Sequence, residues 1–404
     1  MSAGITAGEL YVVPLTTRQT RNPLKQTRRQ APAVTRPTVA EVDLNAIRRN
    51  LRGIRDRVGA RVRIMAVVKA NAYGHGAVPV SRAVEGSHAD CFGVAFAEEG
   101  VALRYGGVSL PIHVFTLPSA SQLLLYADHA LEATICTERE ARALNAVAER
   151  RRTTLPVHLK IDTGMNRIGV KPDGLERYLR VLGRLRRLEI KGVFTHLATA
   201  DEKDKSFARL QLRRFDESLA LLRSHGVYPD VIHAANSAAI LDLPEAWYSM
   251  VRPGIMMYGC YPSAETSESV AIRPALALKT VVAQAKTIRA GETVSYGRRY
   301  TARRRTRIAS IPVGYADGVF RLLTGKGVAL VRGHRVPFAG TVCMDQLMLD
   351  VGQLPVVAGD EVVLIGSQRG ASISAREVAS AVGTIPYEVC CAVSARVPRI
   401  YRGI

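Results

Sequence analysis

Ile64, Ala66, Val67 and Val68 form an apolar run too short for a helix and rich in β-branched residues, which predicts a buried strand ending at Lys69. Similar runs follow at Phe92–Phe96, Ile112–Phe115, Glu132–Ile135, Val157–Ile161, Ile190–His196, Val231–Ala235 and Met250–Met257. Helix-length segments lie between most of them, among them Thr137–Arg151, Gly174–Leu188 and Lys205–His225. Ahead of the first run, Asp43 is placed to cap a helix whose apolar stripe, Leu44, Ile47, Leu51, Ile54 and Val58, recurs at spacings of three and four. Eight strands alternating with helices predict a (β/α)8 barrel rather than an open sheet. In such barrels chemistry sits at the C-terminal strand ends, and Lys69 falls at one.

After about residue 273 the texture becomes β-rich. Val281–Thr287, Arg307–Pro312, Val328–Val331, Arg335–Phe338, Leu347–Val351 and Glu361–Ile365 read as short strands. Gly291-Glu292, Gly333-His334 and Gly359-Asp360 separate several of them as turns. The fold class is therefore α/β: a barrel over residues 38–272 and a β-rich C-terminal domain over 273–404. A chain of 404 residues suits two domains, because single cores stop growing near ~250–300 residues.

Charge changes the picture at the start of the chain. Residues 1–37 set Arg18, Arg21, Lys25, Arg28, Arg29 and Arg36 against one acid, Glu9, a composition that predicts a disordered tail. An Arg-rich, acid-poor start resembles a transit peptide, and Arg28-Arg29 resembles a twin-arginine signal, but no hydrophobic stretch follows to support export. The whole chain holds 56 basic and 35 acidic residues, a net +21. The excess is arginine spread over helix faces, with no helix-turn-helix, zinc finger or aromatic RNA-binding signature, so no nucleic-acid partner is expected. No apolar run is long enough to span a membrane. The cysteines (Cys91, Cys136, Cys260, Cys343, Cys390 and Cys391) form no CxxC pair and no disulfide spacing, which points to a reducing cytoplasm; no metal is expected.

Lys69 opens the question of chemistry. A strand-end lysine either reaches for solvent on its long stem or is an amine held in a closed pocket. Tyr73, Gly74, His75 and Gly76 follow it, a turn whose glycines let a ligand approach the backbone. That setting suits a Schiff base to an aldehyde cofactor with its phosphate anchored nearby.

Nine motifs occur in order: AVVKANAYGHG, HLKIDTGMNRIG, FTHLATAD, NSAA, RPGIMMYG, VSYG, GYADG, VCMDQ and YEV. From Thr38 to Tyr401 the chain resembles alanine racemase, a pyridoxal-phosphate enzyme family. The resemblance implies that Lys69 binds the cofactor and shares acid/base work with Tyr296. Two groups are needed, because racemisation removes a proton from one face of the α-carbon and returns one to the other. Arg252 is implied to face the pyridine nitrogen, where a permanent cation disfavours ring protonation. His196 is implied to bridge Arg252 and Tyr296 as part of a cationic relay. Tyr73, Ser237, the amides of Gly254 and Ile255, and Tyr387 are implied phosphate ligands. Arg167 is implied to contact the cofactor's phenolic oxygen and the substrate carboxylate, and Met344 to offer that carboxylate its amide. Lys160 matches a lysine that many members carry as a carbamate.

In the family, the groups corresponding to Tyr296, Tyr315 and Met344 come from the partner subunit. The resemblance therefore implies a head-to-tail homodimer acting on alanine in the cytoplasm, supplying D-alanine for peptidoglycan. A broader-specificity amino-acid racemase and a non-catalytic pyridoxal-phosphate-binding barrel are the rival readings. The run Arg298, Arg299, Arg303, Arg304, Arg305 and Arg307 has no counterpart role and reads as solvated surface.

Overall fold

The computed structural model describes residues 35–86 and 88–403. The tail expected over 1–37 lies outside the described residues up to position 34. Arg36 does not behave as a tail residue: its guanidinium sits 2.7 Å from the fully buried carboxylate of Asp317.

Eight parallel strands close into a barrel. They are β2 (Arg63–Val67), β3 (Cys91–Val94), β4 (Ile112–Val114), β5 (Leu131–Ile135), β6 (Leu155–Lys160), β7 (Leu188–Phe194), β8 (Val231–His233) and β9 (Met250–Val251). β9 returns to pair with β2 at Arg63↔Met250 and Ile64↔Val251, which closes the ring. The crossover helices pack outside; the one over Thr137's turn, Glu138–Arg151, starts with Glu140 bonded back to the Thr137 amide. The helix α1 (Leu44–Val58) is capped by Asp43, whose side chain accepts from the Ala46 amide at 3.0 Å. Its predicted apolar stripe is buried throughout.

The β-rich part differs from expectation in three places. β1 (Val39–Asp43), expected with the barrel segment, instead lies in the C-terminal sheet. It pairs antiparallel with β10 (Leu276–Val281) and parallel with Arg399–Arg402. The single strand expected over Val281–Thr287 is two, because the chain changes sheets at Val282 and Ala283. The Val282 amide donates to Asp360 and the Ala283 amide to Ser310, after which Gln284–Ile288 joins a separate three-stranded sheet. The domain also ends in two helices, Ala375–Val382 and Pro386–Ala392, that strand-length patterning did not reveal.

The segment after Lys69 winds the wrong way. Ala70, Asn71, Ala72 and Tyr73 have φ of 53, 53, 54 and 52°, a left-handed turn of four non-glycine residues. Each such residue costs roughly 1–2 kcal/mol. Several contacts hold it. The Ala72 amide donates to Val68 O at 2.9 Å, and the Asn71 side chain accepts from the Ala77 amide at 2.9 Å. Tyr73 is buried against Tyr258, whose hydroxyl donates to Val67 O at 2.9 Å. The glycines serve this packing rather than ligand access. A Cβ on Gly74 would meet the Cys390 carbonyl at 2.2 Å, and one on Gly76 the Tyr401 hydroxyl at 1.9 Å. The close approach expected of a ligand is made by the C-terminal helix and last strand.

Candidate active site

The segments beyond β2, β3, β4, β6, β7, β8 and β9, with the helix Pro386–Ala392, surround a cavity of about 720 Å3 at the C-terminal mouth of the barrel. Lys69, Tyr73, Lys160, Arg167, His196, Ser237, Arg252, Gly254, Ile255 and Tyr387 all line it. β2 and β6 are four strands apart either way round the ring, so Lys69 faces Lys160 and Arg167 from opposite walls, while Tyr387 reaches in from the helix Pro386–Ala392.

Lys69 is half-buried there, and its amine is held below the usual lysine range, first by lost solvation and then by the Arg167 charge. A neutral amine is the form that attacks a carbonyl. At one end of the cavity Ser237 Oγ accepts from the Gly254 amide at 2.9 Å. A Cβ on Gly254 would lie 2.6 Å from the Tyr73 hydroxyl and 3.8 Å from Ser237 Oγ, so only glycine leaves that corner open. Tyr387 stands beside Tyr73 with ring centroids 6.0 Å apart. The Ser237 hydroxyl, the Tyr73 and Tyr387 phenols and the amides that begin the 3₁₀ turn Ile255–Tyr258 make a donor-rich cradle for a phosphate.

Arg252 is buried, and both of its terminal nitrogens are engaged. Its Nη2 donates to the carbonyls of Thr195 and Ala234, both at 2.9 Å, and to His196 Nδ1 at 3.2 Å; its Nη1 donates to His233 Nδ1 at 2.9 Å. Burial, then the Arg167 charge, pull its pKa down to about 9, which still leaves it cationic at neutral pH. His196 is held well below the imidazole range by burial and then by Arg252. The cation of the expected relay is therefore the arginine, and the histidine is a neutral link.

Lys160 lies at the end of β6, 4% exposed, with its Nζ 4.7 Å from the Phe194 ring centroid. No carboxylate pairs with it among the described residues. Burial, then Arg252 and Arg167, bring its pKa to about 7. Arg167 rides the following loop, which Asp162 ties by accepting from the Gly164 and Asn166 amides at 3.1 and 3.0 Å.

Tyr296 and Met344 are not in this cavity. Together with Tyr315 and Arg321 they line a separate concavity of about 580 Å3 on the β-rich domain. Tyr296 is 74% exposed, Met344 52% and Tyr315 40%. Their three loops interlock. Thr341 Oγ1 donates to Tyr296 O at 2.7 Å, and the Tyr315 and Ala316 amides donate to Cys343 O and Met344 O at 3.0 and 3.1 Å. A large phenol and a thioether are thus held rigidly on an open surface.

The alanine racemase N-terminal domain family matches residues 42–262, and the alanine racemase C-terminal domain family matches residues 275–401. This chain belongs to the alanine racemase family. A relative from Symbiobacterium thermophilum named alanine racemase is 49% identical over 91% of this chain and 98% of its own length. Among solved structures, alanine racemase from Bacillus anthracis with bound L-Ala-P superposes at a TM-score of 0.87 with 39% identity, covering 91% of this chain and 95% of that one. Histidine racemase from Leuconostoc mesenteroides also superposes at 0.85, with 30% identity and coverage of 92% and 99%. The family architecture thus carries more than one named amino-acid substrate.

Sequence reasoning overlooked a polar layer beneath the cavity. His113, Glu132, His158 and His233 are all buried within the barrel. The signal was present: each interrupts an apolar strand at an inward position, and His158 shares its face with Lys160 two residues on. Cys391 also lines the cavity and was not singled out as a site residue.

Proposed function

We propose that this chain is a pyridoxal-phosphate-dependent racemase interconverting L- and D-alanine, with Lys69 and the Tyr296 of a second copy as the two acid/base groups. One observation carries the reading: Lys69, the Tyr73–Ser237–Gly254 cradle and Arg252 share one cavity in a chain of the alanine racemase family. The cavity chemistry fits the cofactor, with an amine of lowered proton affinity, hydroxyls and amides at one end, and a buried cation at another.

When bound, pyridoxal phosphate supplies a conjugated system that disperses the electron pair left as the α-hydrogen departs as a proton. Lys69 would hold it covalently, and Tyr73, Ser237, Tyr387 and the Gly254 and Ile255 amides would hold its phosphate. Arg252 would face the ring nitrogen and disfavour its protonation, while Arg167 would orient the substrate carboxylate with the Met344 amide of the second copy. Lys69 takes or returns the proton on one face of the α-carbon. Tyr296 serves the other face, linked through neutral His196 to the Arg252 cation. A carbamate on Lys160 would convert a repelling cation beside Arg167 into an orienting anion.

The exposed, rigid Tyr296–Tyr315–Met344 surface supports a head-to-tail homodimer, since neither tyrosine lines the cavity that holds Lys69 in its own chain. The unpaired cysteines suit a reducing cytoplasm, where D-alanine would be supplied for peptidoglycan. Among the described residues, no helix is long and apolar enough to cross a membrane.

Incubation with L-alanine in heavy water tests the reading by following α-deuterium uptake and D-alanine formation. Both signals are expected. Neither, at full cofactor occupancy, would reject the function; exchange without inversion would leave Lys69 and remove Tyr296. Serine and histidine as parallel substrates test the broader-specificity reading that the histidine racemase likeness raises.

A further inference from the structure

The proton transfers above leave a row of ionisable side chains in the barrel interior without a task. Lys191 Nζ and His158 Nε2 both bind the carboxylate of Glu132, the histidine at 2.9 Å. His158 Nδ1 lies 3.0 Å from His233 Nε2, and His233 Nδ1 lies 2.9 Å from Nη1 of Arg252. Glu132, His158, His233 and Arg252 are each at most 4% exposed.

Elementary donor counting fixes the direction of every bond in this row. A guanidinium has no lone pair to offer, so His233 Nδ1 accepts and its single proton sits on Nε2. That proton points at His158 Nδ1, which must also accept. His158 then carries its proton on Nε2 and gives it to Glu132, an acceptor only when ionised. A doubly protonated His158 would set N–H against N–H at His233. The hydrogen bonds from His158 and Lys191 outweigh the burial of Glu132 and hold its carboxyl down at about 2, while burial, then the Arg252 charge, keep His233 well below the imidazole range.

The neighbours hold the ring planes. His233 stacks on Phe194 with centroids 4.8 Å apart and an interplanar angle of 6°. His158 lies against His113 at 4.1 Å. The Thr134 hydroxyl donates to Val114 O at 2.6 Å and so accepts from His113 Nε2 at 3.2 Å. His113 Nδ1 is left with no hydrogen-bond partner among the described residues. That ring is neutral packing beside the row rather than a member of it.

We propose that Glu132, His158 and His233 are positioning residues, a one-way hydrogen-bonded relay that fixes the Arg252 guanidinium where it faces the cavity. This assignment rests on the cofactor reading above. A carboxylate placed directly against Arg252 would order it equally well but would cancel its charge. Two neutral imidazoles keep the anion two rings away, so the arginine is oriented from below while its positive charge remains expressed toward the cavity.

The test uses the holoenzyme labelled with ¹⁵N-histidine. His158 and His233 are expected as single Nε2–H tautomers at neutral pH; an Nδ1–H or doubly protonated ring at either position would overturn the relay. Glu132→Gln removes the anion that anchors the row, while the Arg252 end still dictates an Nε2–H proton on both rings. Those tautomers are expected to persist, with a shift in the visible absorption of bound cofactor as the guanidinium loses its anchor. The kcat should fall about tenfold, and KM should stay within about twofold. Glu132→Asp, which keeps the anion, should restore the cofactor spectrum and most of kcat, although both variants lower the melting temperature. Unchanged kcat and cofactor spectrum in Glu132→Gln would overturn the positioning role. A wild-type chain with the one-way tautomers that binds no cofactor would fail by a different signal, removing the cofactor reading and the assignment with it.

Discussion

A Cβ built on Gly254 would come within 2.6 Å of the Tyr73 hydroxyl. Tyr73 cannot easily yield, being buried, left-handed at φ 52° and packed on Tyr258. Gly254→Ala should therefore push the phenol out of the cradle and fill the space of a phosphate oxygen. Affinity for pyridoxal phosphate should weaken about ten- to a hundredfold, the loss of one or two charge-assisted bonds. Titration of the apoenzyme, followed by cofactor absorbance, checks this, and thermal unfolding of the cofactor-free protein should change much less.

The two concavities make a prediction about mixed subunits. Lys69→Ala and Tyr296→Phe should each lower racemisation by about 10²–10⁴-fold when made in every chain. Co-refolded in equal amounts, the two variants should form heterodimers with one intact and one doubly defective site. Random pairing then restores about a quarter of the wild-type activity in a symmetric dimer. No recovery, with heterodimers present by mass, would place both groups in one chain's site.

Lys160 offers a test with a defined sign. Its folded pKa of about 7 lies well below the ~10.4 of an unfolded lysine. Between those values the unfolded chain binds more protons, so stability rises with pH across the window and the penalty is largest below it. In buffer free of carbon dioxide, Lys160→Met should raise the melting temperature more near pH ~6 than near pH ~9. The neutral amine is also the form that captures carbon dioxide. A ¹³C carbamate signal should grow as pH rises past about 7 and be absent in Lys160→Ala, whose activity should fall.

Gly74 separates packing from ligand chemistry. Its φ of 82° already disfavours a side chain, and a Cβ would meet the Cys390 carbonyl, a backbone atom, at 2.2 Å. Gly74→Ala should cost about 3 kcal/mol or more in urea unfolding at fixed protein concentration. Cofactor affinity per folded molecule should change little, because the glycine faces the C-terminal helix rather than the cavity.

Much of the site was legible because its residues sit at strand ends inside short motifs, where an apolar run stops and a charged or hydroxylated residue begins. Lys69, Ser237 and Arg252 announce themselves that way. The interior row was not legible, since a histidine within an apolar strand such as VIH or VHLK reads as a blemish until the ring closes and brings β5, β6 and β8 into register. The sheet change at Val282 was hidden because the apolar pattern continues unbroken through it. The placement of β1 could not be read either, because its partners, β10 and Arg399–Arg402, lie hundreds of residues away.

That last pairing alters what counts as a domain. β1 precedes the barrel in sequence yet lies inside the C-terminal sheet, between β10 and the edge strand Arg399–Arg402, with Ala40 and Val42 fully buried. The β-rich domain is therefore discontinuous, and the barrel is an insertion between its first strand and the rest. A fragment ending at residue 272 would keep all eight barrel strands but strip β1 of both neighbours, exposing two unpaired edges and an apolar face open to aggregation. One cut cannot free either half; the barrel can be excised only by cutting on both sides of it.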